Sequence, residues 1–190
     1  MSKLFPVKNV LLAQYVKHIS YTEFISSGDD FILVVPDGMT ELVLHLCGAY
    51  ERKYKDDSIP RKIVNSHLIG LKTEACFVKP NADMRSITVR FKPGAIKNFT
   101  RFPMTDLVNH SVDAFCVFGK DIHKLEDKIL RCNTCIEINA LIEEFLLDKM
   151  ITHSKIEKTR QKLNILFSDP SNGFIDNIKS VSENYKSVER

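Results

Sequence analysis

The chain has 190 residues and a formal net charge of +3, with 27 Lys and Arg against 24 Asp and Glu, a balance too even to announce an electrostatic nucleic-acid footprint in the totals. No apolar run approaches the roughly 20 residues that a bilayer span needs, and Met1-Ser2-Lys3-Leu4-Phe5-Pro6 lacks the apolar core of a signal peptide. Five cysteines, an odd number spread along the chain, fit reduced thiols, so a cytoplasmic protein with no membrane partner is expected.

In chain order, Val7, Val10, Leu11, Gln14, Tyr15 and His18 recur at helical spacing, which predicts a short helix over 7–17 packed on a sheet. Phe31 to Val35 is an apolar, β-branched run closed by Pro36-Asp37-Gly38. That triplet supplies a fixed φ, a side-chain acceptor and a free φ, so Asp37 is read as the organiser of a turn. Strands follow over 41–47, 48–55, 63–69, 75–78 and 86–91, separated by Gly70, Pro80-Asn81 and charged turns. Within them, Arg52-Lys53-Tyr54-Lys55 resembles a phosphate patch, but Glu51, Asp56 and Asp57 neutralise it, and a solvated hairpin tip is expected.

The segment Ile87 to Ala95 marks the change of architecture. Ile87, Val89 and Phe91 alternate with Thr88, Arg90 and Lys92, which predicts a strand with one apolar face and one charged face turned to water. Arg90 would then be solvated or line the opposite face, with Glu41 or Glu74 as its partner. Pro93 removes a ladder donor and Gly94 frees the backbone, so the strand ends there. Beyond it, Ile96, Phe99 and Phe102 begin a helical pattern. Phe118, Ile122, Leu125 and Ile129 form one stripe, and Thr134 with Glu137 forms a capping box ahead of a second stripe, Ile138, Leu141, Ile142, Phe145 and Leu146. Together these predict a helical hairpin, read as intramolecular core in preference to a partner surface. Ser154 and Glu157 repeat the cap before Leu163, Leu166 and Phe167, Asp169 to Gly173 breaks the pattern, and Phe174, Ile175, Ile178 and Val181 resume it.

The expected fold class is therefore α+β: a small β-barrel or two-sheet sandwich over 1–95, a helical connector and dimerisation hairpin over 96–152, and a further helical segment over 153–190. Local signals for catalysis are missing. There is no nucleophile elbow, no glycine-rich phosphate loop and no His-Glu-x-x-His, so no enzyme, catalytic residue, metal or cofactor is expected. Cys132-x-x-Cys135 lies at a helix start, where backbone amides favour a thiolate, but it lacks a βαβ context or a second ligand pair. The six histidines are scattered. His45 and His67, on predicted strands, are the candidates for lining a ligand cavity, although ordinary core or surface histidines fit the same pattern.

Pro6 with Leu11, Tyr15 and Val16, then Val35-Pro36-Asp37-Gly38 with Glu41-Leu42, Ser66-His67-Leu68-Ile69-Gly70 with Thr73, and Val89-Arg90-Phe91-Lys92-Pro93-Gly94 resemble, in that order, the sensory N-terminal domain of a subgroup of AraC-type transcriptional regulators. Thr105-Asp106-Leu107 and Phe118-Gly119 extend the resemblance over most of 4–150. Gly173-Phe174-Ile175 with Ile178, Val181 and Asn184 to Arg190 is similar to the first helix-turn-helix of that family's DNA-binding domain, with Asn184 as N-cap. Lys179 stands where the family prefers a small residue, and the turn is about one residue short. The resemblance implies a transcription regulator truncated before its second helix-turn-helix. Tyr185, Lys186 and Arg190 would be its DNA-contacting residues, promoter DNA the partner of the full-length protein, and a small-molecule effector and a homodimer further partners. A different class, a stand-alone ligand-binding or metal-dependent β-barrel protein, is the alternative, with His45 and His67 as the residues that test it.

Overall fold

The structure is a computed structural model that describes residues 2–24, 31–81 and 83–151. These belong to one compact unit ending at Ile151. Among them are ten strands: β1 (Ser2–Phe5), β2 (Val16–Glu23), β3 (Ile32–Val34), β4 (Thr40–Cys47), β5 (Tyr50–Tyr54), β6 (Arg61–Ile63), β7 (His67–Ile69), β8 (Cys76–Pro80), β9 (Arg85–Phe91) and β10 (Ser111–Asp113). Three α-helices follow, α1 (Ala114–Phe118), α2 (Lys120–Ile129) and α3 (Cys135–Lys149). The strands form two antiparallel sheets, one in the order β1-β2-β9-β4-β7-β10 and one in the order β3-β8-β5-β6. The expected sandwich is present, and the sheets do not close into a barrel.

Register explains how the layers stack. Ile19, Val89, Leu42 and Leu68 lie side by side across the larger sheet, and because side chains alternate along a strand they share one face. That face is covered by the helices. Leu42, Leu44, Leu68, Ile87, Val89 and Phe91 join Phe118, Ile122, Leu125, Ile129, Ile142, Phe145 and Leu146 in one buried cluster. Each fully buried aliphatic or aromatic side chain here contributes about 1.5–3 kcal/mol. Both helical stripes expected from the sequence thus turn into this core. Lys149 Nζ lies 2.5 Å from Asp121, placing the end of α3 beside the start of α2 as in an antiparallel hairpin.

One helix cap is the one the sequence indicates, and a second is not announced there. Thr134 and Glu137 make both bonds of the capping box of α3. Asp113 caps α1 by accepting from the Phe115 amide at 2.8 Å. Glu143, buried on α3, accepts from the amides of Lys8 and Asn9 at 2.8 and 2.9 Å, tying the N-terminal segment to the helical layer.

Three sequence expectations change. The helix over 7–17 is a single 3-10 turn at Leu12–Gln14. Asn9 accepts from the Leu11 and Leu12 amides, and Val16 already pairs with Phe91, so strand pairing overrides the helical spacing. The strand expected over 63–69 is two, with β6 in the smaller sheet and β7 in the larger. The face of β9 expected to meet water turns Ser86 and Thr88 to the second sheet, while Arg90 is half-buried against Asp37 and Glu41 and Lys92 alone is exposed. The expected helices beyond residue 152 lie outside the described residues.

Gly70 sits where β7 meets the 103–110 segment, and a Cβ there would come within 1.8 Å of the Leu107 carbonyl oxygen. Gly94, at φ +69, ends β9 in the left-handed region that glycine adopts freely.

A candidate ligand cavity between the two sheets

The face of the larger sheet opposite the helices carries Ser20, Thr88, Val43 and His67 in one row and Glu41 and Ile69 in the next. From the smaller sheet, alternation on β5 turns Tyr50 and Arg52 inward, together with Cys76 and Val78 of β8 and Ile32 and Val34 of β3. Thr88, Val43, Glu41 and Ile69 of the larger sheet and these inward groups of the smaller one line a cavity of about 340 Å³, within the roughly 300–1,000 Å³ range of small-molecule sites. Its wall is mostly apolar, and the charged and aromatic polar groups on it or beside it fall into three sets.

At the Glu41 end, Asp37 organises its turn by accepting from the Met39 amide at 3.0 Å, as the sequence indicated. The same carboxylate meets Arg90 and lies 3.8 Å from Lys72. Glu41 lies 3.7 Å from Lys72 and 3.4 Å from Arg90 Nε. Arg90 therefore finds one of its two expected partners, Glu41, plus Asp37.

On the opposite wall stands Arg52, only 6% exposed. One of its nitrogens donates to Ser111 Oγ at 3.0 Å, and its guanidinium lies 5.6 Å from the centre of the Tyr54 ring. No carboxylate among the described residues pairs with it. The solvated hairpin tip expected for 52–55 is thus corrected: the period of two in β5 turns Arg52 into the protein, while Lys53 on the other face lies over the Phe31 ring at 4.7 Å.

At the other end, His67 sits between two partners. Its Nδ1 donates to the Asn65 carbonyl at 2.9 Å, and its Nε2 accepts from the Tyr50 hydroxyl at 2.6 Å. Burial lowers its pKa to about 4, because the imidazolium would lose its hydration. The same burial raises the Tyr50 phenol above its ordinary value. His45 stacks on Tyr50 at 5.6 Å and lies 5.4 Å from His67. Both His45 ring nitrogens lack a hydrogen-bond partner, and burial lowers its pKa as well. The two sequence candidates are thus neighbours, linked through Tyr50, which lines the cavity. Among the described residues no group of three or more His, Cys, Asp or Glu is set to hold a metal.

Cys132 and Cys135 are free thiols, as are Cys47, Cys76 and Cys116. Tyr185, Lys186 and Arg190 lie outside the described residues. No helix among the described residues is long and apolar enough to cross a membrane. Arg52 and Lys72 were missed as cavity groups by reading charge alone; strand parity from Tyr50 would have turned Arg52 inward.

Fold and cavity together define an α+β domain in which two antiparallel sheets enclose a small-molecule-sized space and a helical hairpin backs the larger sheet. A family model described as a domain of unknown function, DUF6597, matches residues 9–113. That is more than half of the chain, which belongs to this family. The matched span runs from the Asn9 turn through both sheets to Asp113, the cap of α1. No curated protein matches the chain.

Proposed function

We propose that this domain is the effector-sensing part of a transcription regulator of the AraC type, and that its cavity between the sheets receives the effector. The observation that carries the effector reading is the unequal filling of the two faces of the larger sheet, closed against the helices and open against the second sheet. The regulatory part rests on the ordered resemblance of four segments in 4–150 and of 173–190 to that family. On this reading the domain binds its ligand without transforming it. The output passes through β10, whose Ser111 touches Arg52 and whose Asp113 caps α1.

The test is selection of genomic fragments on the whole gene product and on residues 1–151. Retention of discrete promoter fragments by the whole product and not by 1–151 is expected. Equal, sequence-independent retention by both overturns the regulator reading, and ligand binding without any DNA retention favours the stand-alone ligand-binding alternative.

A further inference from the structure

We infer that the ligand of this cavity is a compact amphipathic monoanion, a single carboxylate on an apolar body, and that Arg52 is its anchor. The inference rests on the cavity reading above for its location and adds the ligand's chemistry.

Charge bookkeeping gives the sign and the size of the headgroup. At the Glu41 end, the cations Lys72 and Arg90 face the carboxylates Asp37 and Glu41 and are matched by them. Arg52 remains as the surplus charge on the cavity wall. It is 6% exposed, and the partners in contact with its guanidinium are a serine hydroxyl and an aromatic ring. A buried cation without a counter-ion is costly. A guanidinium has five donors in a planar fork, and a carboxylate meets two of them in parallel. One surplus cation matches one negative charge, whereas a phosphate dianion would leave a second charge uncompensated in an aliphatic pocket. Ile32, Val34, Val43, Ile69 and Val78, with Phe24, Pro80 and Met84, make most of the remaining wall, and Thr22, Ser86 and Thr88 add hydroxyls; a mainly apolar wall favours an apolar body over a sugar or a nucleotide.

The test uses the whole chain and three carboxylates, 4-tert-butylbenzoate, cyclohexanecarboxylate and hexanoate. Each is titrated by calorimetry beside its primary amide, with phenyl phosphate as the dianion. At least one acid is expected to bind tenfold or more tighter than its amide. Arg52→Met, checked for folding by circular dichroism, is expected to abolish that preference while leaving the melting temperature unchanged or raised, because it removes an unpaired buried charge. Val78→Phe, which fills the cavity, is expected to remove binding of acid and amide alike.

Amides that bind as tightly as acids, with both lost in Val78→Phe, overturn the monoanion and leave the cavity reading standing. Acids that bind equally in Val78→Phe overturn the location. Tighter binding of phenyl phosphate than of every acid overturns the single charge. Failure of every acid to bind, or a melting temperature lowered by several degrees in Arg52→Met, assigns Arg52 to the framework and overturns the inference.

Discussion

The two faces of the six-stranded sheet are built by the same strands, one residue out of step, and they behave as different materials. On one face the row Ile19, Val89, Leu42 and Leu68 is no more than 1% exposed and meets large side chains from three helices. On the other, the adjacent row Ser20, Thr88, Val43 and His67 meets a second sheet that contributes short aliphatics, a phenol and a cation. Helices present long side chains that reach into the gaps of a pleated surface, so that interface closes to ordinary interior density. The opposing strands end in valine, cysteine and proline at their inward positions, leaving space that polar groups rim. The lesson is that a cavity here needs no special loop. It follows from which residues occupy alternate positions on β4, β5, β8 and β9.

The sharpest break of this comparison is Leu42→Ala. Leu42 is fully buried on the helix face, and truncating such a residue costs about 2–5 kcal/mol, the upper part of that range applying where the surroundings cannot collapse. For a unit of this size each kcal/mol lowers the melting temperature by about 2–4 °C, so a fall of roughly 10 °C is expected by calorimetry. A fall under about 3 °C would mean that the helix face is not the rigid one, since it would then absorb the loss as the cavity face does.

Acid comes next and acts on the cavity face. With His67 lowered to about 4 from its ordinary 6.5, the unfolded chain takes up a proton below pH 6.5 that the folded chain refuses. This contribution to stability is therefore fully present above pH 6.5 and is lost as the pH falls toward 4, at up to about 1.4 kcal/mol per pH unit. Denaturant midpoints between pH 7 and 4 measure it, and His67→Asn should flatten the profile by about one proton. An unchanged slope in that variant would assign the acid sensitivity to other groups, His45 among them.

Third is the tie between the N-terminal segment and α3. Glu143→Ala strands two backbone amides, those of Lys8 and Asn9, and the Asn139 amide. Hydrogen bonds to a charged group are worth about 1.5–3 kcal/mol, and a loss of about 2 kcal/mol is expected, with faster hydrogen exchange at residues 8–12. Exchange unchanged there would show that β1 and β2 hold the segment without the carboxylate.

How far the sequence carries this picture depends on what each residue answers to. The Thr134–Glu137 cap, the stripe from Phe118 to Ile129 and the Asp37 turn are local devices, and each sits where its spacing put it. Strands β4, β5, β8 and β9 were legible because turn residues bracket them. β2 was not: Val7, Val10, Leu11 and Tyr15 imitate a helical stripe, yet Val10 is 80% exposed, and the chain is drawn into the sheet by its pairing with β9, where His18 meets Arg90 and Ser20 meets Thr88 from far along the sequence. The division at Asn65 between β6 and β7 is likewise a choice between sheets that no local residue announces. The cavity was hidden for a related reason. Charge at Arg52 reads as solvent-facing until β5 is laid over the larger sheet, and charge at Arg90 until Asp37 and Glu41 come to it, and only tertiary structure supplies either.

The smallest expected effect is the most direct test of the comparison, because it lies next door to the largest. Val43 follows Leu42, is 7% exposed and lines the cavity. Removing two methyl groups from a closed core would cost their transfer energy, about 0.8 kcal/mol for each carbon, plus a cavity term. At Val43 the space gained joins one that already exists and is rimmed by polar groups able to hold water, so the cavity term drops out and the cost should be about 1.6 kcal/mol, about half of that at Leu42. Equal losses at the two positions, measured in the same denaturant series, would show that the sheets close on each other in solution as tightly as the helices close on the sheet. A ligand-sized space between them would then have no physical basis.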